Sequence, residues 1–180
     1  MAHNQSDALA YDSANTTSRG LLEESIMPTP TNTASAAADA TNLELRRLVD
    51  EYNKALSQGE APFNIERVAH LYKRDEDFMA YDLSPPNGGY SGWRSYETAW
   101  YQIMAKYASF YLEANDDIRI KHVGDVAWST FSFRVRGERR GGQPYNAEGR
   151  VTLIWVRENS KWLITHEHAS TPRLPPPAQR

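Results

Sequence analysis

The sequence predicts an α+β domain, helical in its first half and built of antiparallel strands in its second, behind a polar tail. Three observations predict it. Apolar residues recur at helical spacing in three segments up to about residue 107. Beyond that point β-branched and aromatic residues alternate, with turn signals at Gly124-Asp125, Gly141-Gly142 and Asn159-Ser160. Residues 1–40 are mostly Ser, Thr, Asn, Asp and Ala with Pro28 and Pro30, too polar to bury the surface that would offset their ordering entropy. The expected organisation is a disordered tail over 1–40, one domain over 41–172 and a Pro-rich tail over 173–180.

Thr41-Asn42-Leu43-Glu44 is a capping box, in which the Thr hydroxyl and the Glu carboxylate satisfy free N–H groups, so a helix is expected to start there. Leu45, Leu48, Val49, Tyr52, Ala55 and Leu56 form its apolar stripe, and Gly59 supplies a left-handed stop. Pro62 opens a second, shorter helix through Ile65, Val68, Leu71 and Tyr72. A strand over Asp77–Asp82 leads into the turn-rich Ser84-Pro85-Pro86-Asn87-Gly88-Gly89. A third helix, from about Trp93 to Tyr107, is expected to bury Trp93, Tyr96, Trp100, Ile103, Met104 and Tyr107 on one stripe. The three turn signals then divide the rest into four successive antiparallel strands, so the helices should cover one face of a curved sheet.

Composition narrows the function classes. A formal net charge of −3 and a pI near 6.0 give no basic footprint for nucleic acid. The absence of cysteine excludes disulfides, zinc–thiolate sites and thiol nucleophiles. No apolar run approaches the roughly 20 residues of a membrane span, and the N-terminus lacks the basic-then-apolar order of a signal peptide, so a cytoplasmic location is expected. The glycines lie in turns rather than between a strand and a helix, which removes phosphate-cradling and dinucleotide motifs, and no cofactor is expected.

The segment from Gly149 to Ser170, with Thr152, the Asn159-Ser160 turn, Trp162 and the ending His166-Glu167-His168-Ala169-Ser170, resembles the terminal hairpin of SnoaL-like and calcium/calmodulin-dependent kinase II association-domain sequences. The helix order, Tyr81-Asp82 and the Gly88-Gly89-Tyr90-Ser91-Gly92-Trp93 entry to the third helix agree, so the resemblance covers about residues 42–172. It implies a cone-shaped NTF2-like fold, with three N-terminal helices on a curved antiparallel sheet. Because that fold serves isomerases, cyclases, dehydratases and assembly modules, it does not by itself imply an activity.

Within the superfamily, Tyr52 and Asp82 stand where ketosteroid isomerases carry an oxyanion-stabilising tyrosine and a proton-transferring aspartate. The resemblance therefore implies Asp82 as base and Tyr52 as hydrogen-bond donor. Alternatively Tyr52 is a core tyrosine and Asp82 starts the turn before Ser84. The isomerases' second pocket acid falls near Thr152, which is not an acid. Arg134 matches an anion-pocket arginine of the kinase association domain, but its companions fall on Leu153 and Ala169, and a pocket histidine on Tyr96.

His166 and His168 share a strand face and could be structural, acid/base or metal-binding residues; no third and fourth ligands suggest a metal. With two-residue turns, Trp128, Thr130, Ser132, Arg134, Trp155, Ile164, His166 and His168 share one face, and Leu153 falls opposite His166. That face is the expected pocket, and Phe131, Phe133, Val135 and Ile154 are left for packing or a dimer partner; a bulge in either hairpin would invert the assignment. The expected function is binding of a small, mostly apolar carbonyl compound, with Asp82, Tyr52 and His166 catalytic. Tyr96, Trp100, Met104, Trp128, Arg134, Leu153 and His168 are the expected ligand contacts. The alternative is a non-catalytic binding or assembly module. A homodimer is expected either way, because three helices cover one sheet face and the other is also apolar.

Overall fold

The computed structural model describes residues 30–84 and 86–172. The expected N-terminal tail up to residue 29 and the Pro-rich 173–180 lie outside the described residues. Helix α1 spans Pro30–Leu56 and passes through the Thr41–Glu44 tetrad, so it starts well before the expected cap, inside the stretch read as tail. The Ala36-Ala37-Ala38 run explains the difference: alanine is the strongest helix former, so a helix nucleated by its packed half propagates back through it. That half buries the predicted stripe, Leu45, Val49, Tyr52, Ala55 and Leu56. Gly59 adopts a φ of +63° and exchanges backbone hydrogen bonds of 2.8 and 2.9 Å with Phe110, docking the end of α1 onto the sheet.

Helix α2 is a single turn, Glu66–Ala69. It is shorter than the spacing predicts because the chain beyond it is drawn into strand-like pairing. Ile164 N–H donates to the Leu71 carbonyl at 2.7 Å, and Lys73 N–H to the Ile164 carbonyl at 2.8 Å. Strands β1 (Met79–Tyr81) and β2 (Tyr90–Ser91) precede α3 (Trp93–Met104). Five strands follow rather than four: β3 (Tyr107–Ala114), β4 (Arg119–Val123), β5 (Val126–Arg139), β6 (Pro144–Glu158) and β7 (Lys161–Ser170). The sheet order is β2-β1-β7-β6-β5-β3, with β4 pairing the first half of β5. Because β1 runs parallel to β7, the curved sheet is mixed rather than wholly antiparallel. The architecture is α+β. Among the described residues, no helix is long and apolar enough to cross a membrane.

Two local irregularities decide which side chains face inward. The β5–β6 hairpin closes with Arg139 N–H donating to the Gln143 carbonyl at 2.9 Å, leaving the three residues Arg140-Gly141-Gly142 in the turn instead of two. Phe131 therefore pairs with Val151, Ser129 with Leu153 and Arg134 with Glu148. The β6–β7 hairpin turns through Asn159 and Ser160, both at positive φ, as a two-residue hairpin requires. Its register then slips: Trp155 pairs with Ile164, but Ile154 pairs with His166, so Thr165 is a bulge. The bulge lies where β7 changes partner on its other edge, from Tyr72 to Met79.

The expected pocket face is split as a result. Trp155 and Ile164 are fully buried, whereas Trp128, Arg134 and His168 are exposed and His166 lies on the outer row beside Met79 and Ile154. Phe131, Phe133 and Val135, assigned to the opposite face, pack inward. Gly149 serves this inner surface. A Cβ there would overlap the Phe133 ring, which crosses its pairing partner Gly149.

Candidate functional site

Glu167 pairs with Leu153 on one side and Ala80 on the other, in the middle of the sheet, and is 3% exposed. A carboxylate so placed must find donors. Helix α1 supplies Tyr52, whose hydroxyl donates to Oε1 at 2.9 Å, and the segment after α2 supplies Tyr72, which donates to Oε2 at 2.5 Å. The Tyr96 hydroxyl of α3 is buried nearby without a hydrogen-bond partner, although its proximity still favours the charged carboxylate. An aromatic nest fixes the donors. Tyr72 lies 4.9 Å from Trp93 and 5.5 Å from Phe78 between ring centroids, and Phe78 lies 5.2 Å from Tyr96.

Burial is the main cause that raises the Glu167 carboxyl from 4.5 to about 7; the negative charge of Asp82 adds to it and the tyrosine hydrogen bonds oppose it. Tyr52 and Tyr72 are pushed well above the usual phenol range by burial first and by Glu167 second, so both stay protonated donors.

Asp82 follows β1, two residues beyond Ala80 and thus on the same side of the strand. Its carboxylate accepts the backbone N–H groups of Leu83 and Ser84, yet burial still raises its pKa. Asp82 therefore caps the turn before Ser84, the alternative to the catalytic reading, while its side chain also faces the cavity.

Tyr52, Asp82 and Glu167 all line a cavity of about 70 Å³ between α1, α3 and the sheet. Leu56, Trp100, Tyr107, Phe110, Phe131 and Phe133 make its walls largely apolar. Asn53 Oδ1 and Trp100 Nε1, on residues that line the cavity, and Tyr96 Oη in the adjoining core are buried without hydrogen-bond partners. Such groups are uncommon in native cores.

Of the expected catalytic and ligand-contact residues, Tyr52, Asp82 and Trp100 line this cavity. Tyr52 differs from expectation in that its hydroxyl is committed to Glu167 instead of standing free for a ligand oxygen. Tyr96, Met104 and Leu153 are buried in the core beside the cavity. Trp128, Arg134, His166 and His168 lie on the outer face, because of the longer hairpin and the Thr165 bulge. His166 and His168 instead meet the Tyr81 ring, 6.0 and 5.6 Å away between centroids. Burial, then the neighbouring His168, lowers the His166 pKa. Among the described residues no three His, Asp or Glu side chains are grouped to hold a metal.

Glu167 is not among the residues singled out in the sequence, although it lies between the two histidines. A signal was present: if His166 and His168 face outward, the residue between them must face inward. Tyr72 was read only as a helix-stripe residue.

The family model described as "SnoaL-like domain" matches residues 45–174, and the chain belongs to that family. Comparison with curated proteins finds no match. Among solved structures, the chain is similar to a nuclear transport factor 2 (NTF2-like) superfamily protein from Salmonella enterica, with a TM-score of 0.67 and 18% identity over 79% of this chain and 98% of that one. It is similar to a candidate dehydratase of the NTF2-like family from Streptomyces avermitilis, with a TM-score of 0.63 and 16% identity over 75% and 98%. The association domain of C. elegans CaMKII gives 0.55 and 15% over 75% and 98%. At these identities the likeness establishes the NTF2-like fold.

Proposed function

We infer that the cone binds a small, mostly apolar carbonyl compound and catalyses proton transfer on it, as in isomerases, cyclases or dehydratases. One observation carries this reading: two carboxyl groups, Asp82 and Glu167, stand in the wall of one apolar cavity, each with its charged form disfavoured by burial. Asp82 is the base that takes the proton from the carbon next to the carbonyl. Glu167, held by Tyr52 and Tyr72, is the second acid/base that returns a proton at oxygen or at another carbon. The similarity to a candidate dehydratase agrees with this chemistry without assigning it.

The test is deuterium exchange at the α-carbon of small neutral aryl ketones in D₂O, followed by proton NMR. Wild type should accelerate exchange, Asp82→Asn should lose about 10²–10⁴-fold of that acceleration, and ketone affinity should be unchanged in the variant. Wild type that binds the ketones without accelerating exchange would leave a binding module.

A second reading concerns assembly and is compatible with the first. Met79, Tyr81 and Trp128 lie on the outer sheet face and are 42%, 38% and 41% exposed, an apolar surface suited to a second copy of the chain.

A further inference from the structure

Among the described residues the cavity wall holds acids but no bases: none of the lining side chains is Lys, Arg or His, so none of them compensates an anionic group, and Asp82 and Glu167 oppose one. Cations gather just outside, at one end. The α3–β3 turn brings Lys106, and the β5–β6 hairpin brings Arg139 and Arg140. The two segments are joined: Arg140 donates from its backbone N–H to the Lys106 carbonyl and from Nε to the Ala105 carbonyl, both at 2.9 Å. Among the described residues none of these three cations forms an ion pair with a carboxylate.

Arg139 is placed with more definition than a solvated hairpin tip requires. Its guanidinium lies over two rings at once, 5.6 Å from the centroid of Tyr107 and 4.9 Å from that of Tyr145. The rings are 4.9 Å apart, and both line the cavity. They therefore form the partition between the guanidinium and the apolar interior. Burial, reinforced by hydrogen bonding to Tyr145, pushes the Tyr107 phenol up to about 12, so that ring stays neutral. A guanidinium stacked on aromatic faces keeps its N–H edge available for the forked contact that carboxylates and phosphates accept.

Resting on the cone reading above, we propose that this rim, with Arg139 as the specificity residue and Lys106 and Arg140 beside it, is an anion subsite. The ligand has a neutral carbonyl head inside the cone and an anionic tail, carboxylate or phosphate, that leaves past Tyr107 and Tyr145 to meet Arg139. The acid-only wall and the basic rim together select that polarity of ligand: a charge carried on the head is repelled, and one carried on the tail is paired.

The test is calorimetric titration at low salt with three probes that share a two-ring frame: neutral 2-acetylnaphthalene, 2-naphthylacetate and 2-naphthyl phosphate. Wild type should bind the anionic probes about fivefold more tightly than the neutral one, the scale of an exposed ion pair. In Arg139→Gln that preference should vanish while affinity for 2-acetylnaphthalene holds, and Lys121→Gln, on the distant strand β4, should keep the preference. Equal affinity for neutral and anionic probes in wild type, or a preference that survives Arg139→Gln, would overturn the subsite and leave the cone reading standing. Anionic probes that bind through Arg139 while 2-acetylnaphthalene does not bind would sustain the subsite and remove the cone reading. If no probe binds, both fall. A larger preference for the phosphate than for the acetate identifies the tail as phosphate, and the reverse as carboxylate.

Discussion

The Tyr52 hydroxyl donates to Glu167 Oε1 across 2.9 Å, joining the longest helix to the last strand through residues 115 positions apart in the chain. The bond commits the Tyr52 hydroxyl to a buried carboxyl group.

Its energetic weight can be separated from that of its neighbour. Tyr52→Phe leaves a buried carboxylate oxygen without its donor and should cost about 1–2 kcal/mol. Tyr96→Phe removes a hydroxyl that has no hydrogen-bond partner and should fall within about 0.5 kcal/mol of wild type, because it also removes an unsatisfied group. Urea denaturation of both variants decides the matter. Equal costs would mean that the Tyr96 hydroxyl also holds Glu167.

Glu167 should also give stability a distinctive pH dependence. Its folded pKa of about 7 lies above the ordinary 4.5, so between those values the native state binds more protons than the unfolded chain. Stability from this group is therefore full below about 4.5, declines as pH rises, and levels off above about 7, a loss of about 3 kcal/mol. Glu167→Gln should abolish that slope. Measuring unfolding free energy from pH 4 to 8 in both proteins checks it, and parallel curves would refute the assignment.

Much of the fold was legible because periodicity survives local detail. The stripe Leu45, Val49, Tyr52, Ala55, Leu56 and the α3 stripe through Trp93, Tyr96 and Trp100 are buried as their spacing predicts. The site was less legible, because strand alternation has period two and one extra residue reverses every assignment beyond it. The turn through Arg140-Gly141-Gly142 and the bulge at Thr165 each add one. Asp82 lies upstream of both irregularities, so its side of the strand can be read without them. Glu167 was missed and His166 favoured because they lie downstream of the second. The parallel β1–β7 pairing was equally hidden, since its partners are far apart in sequence.

Gly149 offers a test of the inner surface. Gly149→Ala would force its Cβ against the Phe133 ring, which lines the cavity, and should destabilise the fold by about 1–3 kcal/mol. Combining it with Phe133→Leu should recover part of the loss. Thermal melts of the single and double variants measure the coupling, and strict additivity would mean that the ring is not what Gly149 accommodates.

On the outer face, Trp128→Glu should convert a two-chain particle into a single-chain one in sedimentation equilibrium at micromolar concentration. Because Trp128 is exposed, the fold itself should be little affected. A wild type that sediments as one chain would remove the assembly reading.

The bulge at Thr165 gives β7 a property that reaches beyond this chain. His166 and His168 occupy one side of the strand and Glu167 the other, so the same short stretch spells two chemistries, and a single inserted or deleted residue upstream decides which of them is turned toward the cavity. A three-nucleotide insertion or deletion would exchange an acid-lined interior for an imidazole-lined one, with the letters of the stretch itself unchanged. Comparisons that align such segments by letter alone would then match side chains pointing to opposite worlds, one dry and one wet.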